Sequence, residues 1–300
     1  VPRRDARFVL AGEKAASGSG GEPDPSCGKP LPETEACAII QAPQEGGDAL
    51  LEEAVKEEFL MPRCTVTLSA NAGAVLELNL VRIWLDLLHT QKTENFSTVG
   101  PELQRRMLQC EAFAHPDLIF FTHCHPDHYS RTLTGQALKL WPDAKLVLPQ
   151  QEFARQITLS RPVERLDLPG CSVRFGRLPH EGAQYAGVPH YGCVIEAGGF
   201  TALIAGDCEV ASPLLAQLIG DTPIDLALLD FPWVTLRKGR EFLEREIRPR
   251  HLLVFHLPFA GDDRAGYRAA AARMIGRLEG IPDVRLLQDP LQREEILSPS

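Results

Sequence analysis

Residues 120–130 read FFTHCHPDHYS. Three of the chain's nine histidines, His123, His125 and His128, fall within these residues, with Asp127 lodged among them. The apolar run DLIFF leads straight into the cluster, so a strand delivers it to a loop at the strand's end. On extended chain, side chains two apart share a face, so His123 and His125 can point the same way and hold one cation. Asp127 and His128 can turn back to face a second. Neutral imidazole and carboxylate suit zinc, manganese or iron. The plain alternative is a polar loop whose histidines cluster by accident, and the strand running into the motif weighs against it.

The totals set bounds around that motif. The chain has 300 residues, 44% hydrophobic and 24% charged, enough for one large domain or two small ones. Net charge is −9 and no basic run is present, which argues against a nucleic-acid partner. The longest apolar stretch, AVLELNLVRIWLDLL, is interrupted by Glu77, Asn79, Arg82 and Asp86, so no membrane span is expected. VPRRDARFVLAG lacks the apolar core of a secretory signal. Eight cysteines without a CxxC pair read as reduced, mostly buried thiols and a cytoplasmic address.

Residues 1–62 differ in character from the rest. SGSGGEPDPSCGKPLPE is rich in Gly, Pro, Ser and Glu, and the segment carries six Lys/Arg against twelve Asp/Glu. Such composition does not bury a core, so we expect an acidic, poorly ordered extension with one possible helix over 48–60 (DALLEEAVKEEFL). The folded domain is expected to begin near Met61 and to occupy 63–300. From Cys64 onward, short apolar strands alternate with helices. CTVTLSA, AVLELN and VRIWLD read as consecutive strands, PELQRRMLQCEAF as a helix, and SRTLTGQALKLW as another. AKLVLP is a strand and PQQEFARQI a short helix. ERLDLP and CSVRFGRL are strands, and YGCVIEA and FTALIAGD form a hairpin around Gly198–Gly199. SPLLAQLI, KGREFLEREI and DDRAGYRAAAARMIGRLEG read as helices, and IDLALLD, LLVFH and a last strand VRLL complete the pattern. No repeat period is visible, and strands with interleaved helices indicate sheets covered by helices.

With HxHxDH at 123–128, the chain resembles the metallo-β-lactamase-fold hydrolases over residues 64–290. The resemblance includes the Asn71-Ala72-Gly73 turn, Asp86 ending the third strand, a later histidine, the Asp of ALIAGD and the final histidine of LLVFH. It implies a four-layer αβ/βα sandwich with a site for two divalent metal ions, zinc first, with manganese or iron as alternatives. By position, His123 and His125 would bind one metal with a third histidine, Asp127 and His128 the second with His256, and Asp207 would bridge. His180 is favoured as the third histidine because it ends a strand; His190 could equally line the pocket. Asp86 would orient a ligand histidine. His89 could reach the pocket as a proton donor or be a solvated loop residue. His115 and His251 read as structural or exposed, and Cys124 and Cys208 as inert buried thiols. Arg237, Lys238 and Arg240 read more readily as a solvated helix start than as an anion clamp.

Two cations roughly 3.5–4 Å apart lower the pKa of a shared water, and the resulting hydroxide attacks carbon or phosphorus. Asp127 would orient that nucleophile as well as bind metal. The expected activity is hydrolysis of a small ester, lactone or phosphodiester. The alternative is a metal-bound but non-catalytic binding or regulatory protein. One large branch of the family's RNA-processing nucleases inserts a domain between the bridging Asp and the last His, whereas here about fifty residues separate Asp207 from His256. The partner is therefore expected to be a small molecule; the oligomeric state is left open.

Overall fold

The computed structural model describes residues 63–93 and 95–297. The acidic extension and the helix expected over 48–60 lie outside the described residues. Among the described residues, thirteen strands form two sheets. The first, in the order β13-β1-β2-β3-β4-β5, contains Arg63–Leu68 (β1), Ala74–Leu78 (β2), Val81–Leu85 (β3), Leu118–Phe120 (β4), Lys145–Val147 (β5) and Arg293–Leu297 (β13). The second, in the order β12-β11-β10-β9-β8-β7-β6, contains Val163–Leu168 (β6), Cys171–Arg177 (β7), Tyr191–Ala197 (β8), Phe200–Gly206 (β9), Leu226–Asp230 (β10), His251–Phe255 (β11) and Asp283–Leu286 (β12). Each sheet is antiparallel on one side and parallel on the other, the parallel pairs being β3–β4–β5 and β9–β10–β11–β12.

The side-chain period of two builds the layers. In β11, Leu253 and Phe255 face the core between the sheets, together with Phe120 of β4 and Phe175 of β7. Leu252 and Val254 face the other way, into the outer cluster to which the helix Pro213–Ile219 contributes Leu215, Leu218 and Ile219. On the first sheet, Trp84, Ile119 and Leu146 turn outward to meet Leu103 and Met107 of the helix Pro101–Gln109 and Ala137 of the helix Arg131–Leu140. Helix, sheet, sheet, helix is the four-layer order expected from the resemblance. None of the described helices is long and apolar enough to cross a membrane.

Four local expectations are corrected. PQQEFARQI forms no helix: the Gln156 amide accepts from the backbone N–H groups of Glu152 and Phe153 and donates to the carbonyls of Leu148 and Gln150, holding an irregular loop. The last long helix spans only Tyr267–Ile275, because Gly266 is left-handed (φ 74°) and the Asp263 carboxylate takes the N–H groups of Tyr267 and Arg268. KGREFLEREI is α-helical over Arg237–Phe242 and continues as a π turn over Leu243–Ile247, preceded by a short helix Pro232–Thr235. VRLL is not the last strand, since β13 follows and pairs antiparallel with β1.

The parallel strands bring their C-terminal ends to one edge, where ligands bind in open α/β sheets. Backbone bonds join the two sheets there: Tyr191 N–H donates to the Thr122 carbonyl at 2.8 Å, and His256 N–H to the Asn71 carbonyl at 3.1 Å.

Candidate metal centre

Strands of both sheets that end at this edge supply its side chains. Asp86 follows β3, the 122–128 loop follows β4, Asp207 follows β9, Asp230 ends β10 and His256 follows β11. Two of the turns are made in the left-handed region, at Asp86 (φ 44°) and His256 (φ 55°), which sharply redirect the chain after its strand. Gly206, also left-handed at φ 54°, is required on spatial grounds: a Cβ there would come within 2.7 Å of the Thr122 side chain and 2.9 Å of His190 Nε2.

His123 Nε2 lies 2.9 Å from His125 Nδ1, and His180 joins them to form one group of converging donor atoms. Asp127, His128 and His256 form a second group. Asp207 lies between. Its Oδ2 is 3.8 Å from His123 Nε2, 3.8 Å from His180 Nε2 and 3.4 Å from His128 Nε2, while Oδ1 is 3.7 Å from His256 Nδ1. Asp127 Oδ2 is 3.7 Å from His256 Nε2. The structure thus brings His123, His125, Asp127, His128, His180, Asp207 and His256 together.

Hydrogen bonds behind the rings fix which nitrogen faces inward. Asp86, fully buried, accepts from Thr122 N–H at 2.8 Å and Thr122 Oγ1 at 2.6 Å, and lies 3.0 Å from His128 Nδ1. Thr122 Oγ1 is in turn 3.0 Å from His123 Nδ1, and His180 Nδ1 is 2.8 Å from the Glu181 carbonyl oxygen. With those protons held outside, the Nε2 lone pairs of His123, His128 and His180 point to the centre. Phe96 stacks on His256 at 4.4 Å and 11°.

His190 is buried, its ring 5.3 Å from that of His123 and 5.6 Å from that of His180, but it joins neither donor group. His89 is also buried, with Nε2 3.3 Å from the Ala70 carbonyl oxygen, and does not line the cavity over the site. It is not the solvated loop residue that was one reading of it. His251 pairs with Asp283 at 2.8 Å. Arg240 donates to the Val234 and Thr235 carbonyls, and Lys238 lies 3.3 Å from Glu181, so neither is a free anion clamp. Cys208 is buried and Cys124 half-buried, and burial pushes the Cys124 thiol up to about 12.

Sequence reasoning missed Asp230. It ends the strand IDLALLD as Asp207 ends ALIAG, and it converges with Asp207 and His256. Burial and then the neighbouring Asp207 raise its pKa well above the carboxylate range. Burial opposes ionisation of Asp207 too, but His256 and His128 outweigh it and hold that carboxyl well below its ordinary value. Burial would likewise drive the proton off His128, yet the Asp207 and Asp86 carboxylates keep it on. Burial, followed by His128, lowers His123.

The donor set fits divalent cations. His180 Nε2, His256 Nε2, Asp207 Oδ1 and Asp230 Oδ1 are buried and have no hydrogen-bond partner among the described residues. Buried polar atoms left so cost about 1–3 kcal/mol each, and a cation shared among them would remove that cost. The mixture of imidazole and carboxylate is what zinc, manganese and iron accept.

No protein-family model and no curated protein matches the sequence. Solved structures do. Igni18, a metallo hydrolase from Ignicoccus hospitalis, is 19% identical with a TM-score of 0.52, covering 78% of this chain and 98% of its own. The metallo-β-lactamase fold protein YhfI from Bacillus subtilis is 12% identical with a TM-score of 0.50, covering 78% and 99%. CmlA, a diiron β-hydroxylase from Streptomyces venezuelae, is 13% identical with a TM-score of 0.54, covering 78% of this chain but only 54% of CmlA. A two-sheet sandwich with a histidine and carboxylate cluster on one edge defines the class of fold. This chain has the metallo-β-lactamase fold.

Proposed function

We propose that the chain is a hydrolase that works with two divalent cations, zinc being the first candidate, on a small ester, lactone or phosphodiester. The observation that carries this reading is the position of Asp207 between two groups of inward-facing donors. His123, His125 and His180 would hold one cation, and Asp127, His128 and His256 the other, with Asp230 offering the second a further oxygen. Bound there, two cations polarise a substrate oxygen and bring the pKa of coordinated water toward neutrality. The protein's residues do the rest. Asp86 and Thr122 lock the rings, so the donors need no reorganisation when substrate arrives. Asp127 lines the open cavity, and although burial opposes it, His256 holds its carboxyl below the ordinary value, so the carboxylate stays ionised and can orient a water by accepting its hydrogen bond. Phe96 shields His256 from solvent on one face.

The test is metal analysis of the reconstituted full chain beside a panel of esters, lactones and phosphodiesters. Two metals per chain and turnover of at least one panel member are expected, with both lost in the double variant His123→Ala/His125→Ala. Two metals without any turnover would favour the binding or regulatory reading, and a protein that takes up none would overturn both.

A further inference from the structure

The cavity over the site encloses about 630 Å³, within the roughly 300–1,000 Å³ of small-molecule sites. Its floor and its walls differ in chemistry. Asp127, Asp207, Asp230 and His256 form the floor. On one side the rings of Phe96, Tyr267 and Phe231 make a continuous wall, Tyr267 stacking at 6.2 Å on Phe96 and 4.7 Å on Phe231, both at 25°. Tyr185 also lines the cavity, its ring 4.9 Å from both His125 and His180. Among the described residues, no lysine or arginine lines this space. Lys238 is engaged by Glu181, and Lys92 by Asp262.

The charge balance discriminates between substrates. Four carboxyl groups line the cavity: Asp127, Asp207, Asp230 and Glu181. Glu181 is paired with Lys238, so the three aspartates would offset most of the charge of two divalent cations, and no unpaired lysine or arginine among the lining residues adds to what remains for an anion. A phosphodiester keeps its negative charge at neutral pH, and sites that bind one usually add arginine or lysine. An ester or lactone arrives neutral, and an aromatic wall offers it apolar area.

Building on the hydrolase reading, we propose that the substrate is an uncharged ester or lactone with a flat apolar group that lies along Phe96, Tyr267 and Phe231. Hydrolysis adds one water: its oxygen bonds to the carbonyl carbon, the acyl carbon–oxygen bond breaks, and the alcohol leaves with one of the water's protons. The acid product ionises, and the acidic cavity favours its departure.

The experiment uses the full, metal-replete chain and two substrates sharing one chromophore, 4-nitrophenyl butyrate and bis(4-nitrophenyl) phosphate. The expected result is a kcat/KM at least 100-fold higher for the ester. Tyr267→Ala should raise KM for the ester about tenfold with kcat and metal content held, and Tyr267→Phe should restore it. A kcat/KM higher for the diester, or an ester KM indifferent to Tyr267→Ala, overturns the proposal. If the metal-replete protein hydrolyses neither, the hydrolase reading falls, and calorimetry decides the cavity's preference separately. N-phenylacetamide binding more tightly than methyl phenyl phosphate supports the neutral ligand; tighter binding of the phosphate, or binding of neither, overturns it.

Discussion

His180 and His190 are both buried and stand ten residues apart, yet their ring nitrogens have different surroundings. His180 is held by the Glu181 carbonyl at Nδ1 and presents Nε2 to Asp207; neither ring nitrogen of His190 has a hydrogen-bond partner among the described residues. Removing His180 deletes a proposed direct bond to a cation. Removing His190 deletes at most a contact behind His123. We expect His180→Ala to lose one metal and at least 100-fold in turnover, and His190→Ala to keep both metals while altering rate or preference, by up to about 10²-fold. Metal content and hydrolysis measured on both variants decide it, and the reverse pattern would exchange their roles. Much of this cluster was legible because HxHxDH, ALIAGD and LLVFH each join a strand pattern to a ligand type. The choice between His180 and His190 was less so: both precede the same strand, and ring orientation depends on Glu181 and Asp207, which sequence does not bring together. Asp230 was overlooked although it ends its strand as Asp207 does. Its neighbours His256 and Asp207 come from flanking parallel strands, and their adjacency is a property of sheet order.

At the scale of elements, alternation was the readable signal, and polar exceptions hid it. In β13 only Ile296 is buried; Glu294, two residues away on the same face, is half-buried against Arg285, and Glu295 is exposed, so REEIL lacks the apolar rhythm of a strand and gains its place from pairing with β1. The 149–158 segment misled in the opposite sense: its composition suits a helix, but one side chain competes for the backbone. Gln156 accepts from two N–H groups at 2.7 Å and donates to the Gln150 carbonyl and Thr158 Oγ1, each at 2.7 Å. Gln156→Ala leaves those partners unmatched in a half-buried loop, and about 1–3 kcal/mol of stability should be lost. Urea unfolding reads the loss. Metal content should hold, because no proposed ligand comes from this loop, and an unchanged midpoint would show that water replaces the amide without cost.

For the whole molecule, the composition of residues 1–60, rich in Gly, Pro, Ser and Glu, offers little apolar surface to a core, and among the described residues the core between the sheets and both outer clusters draw on 64–296. Deleting residues 1–60 should therefore leave the melting temperature within a few degrees and the metal content unchanged, measured by calorimetry and metal analysis. An aggregated or metal-poor truncation would mean that the acidic segment completes the fold or the site. The pairing of β1 with β13 has a mechanical consequence. Arg63 stands opposite Leu297, and the register runs inward from there to Thr67 opposite Arg293. The two ends of the domain thus emerge side by side from one end of an antiparallel pair. Tension applied between them acts along the inter-strand hydrogen bonds and loads the rungs one after another. Pulled from its ends, the domain opens like a zipper from its edge strand inward.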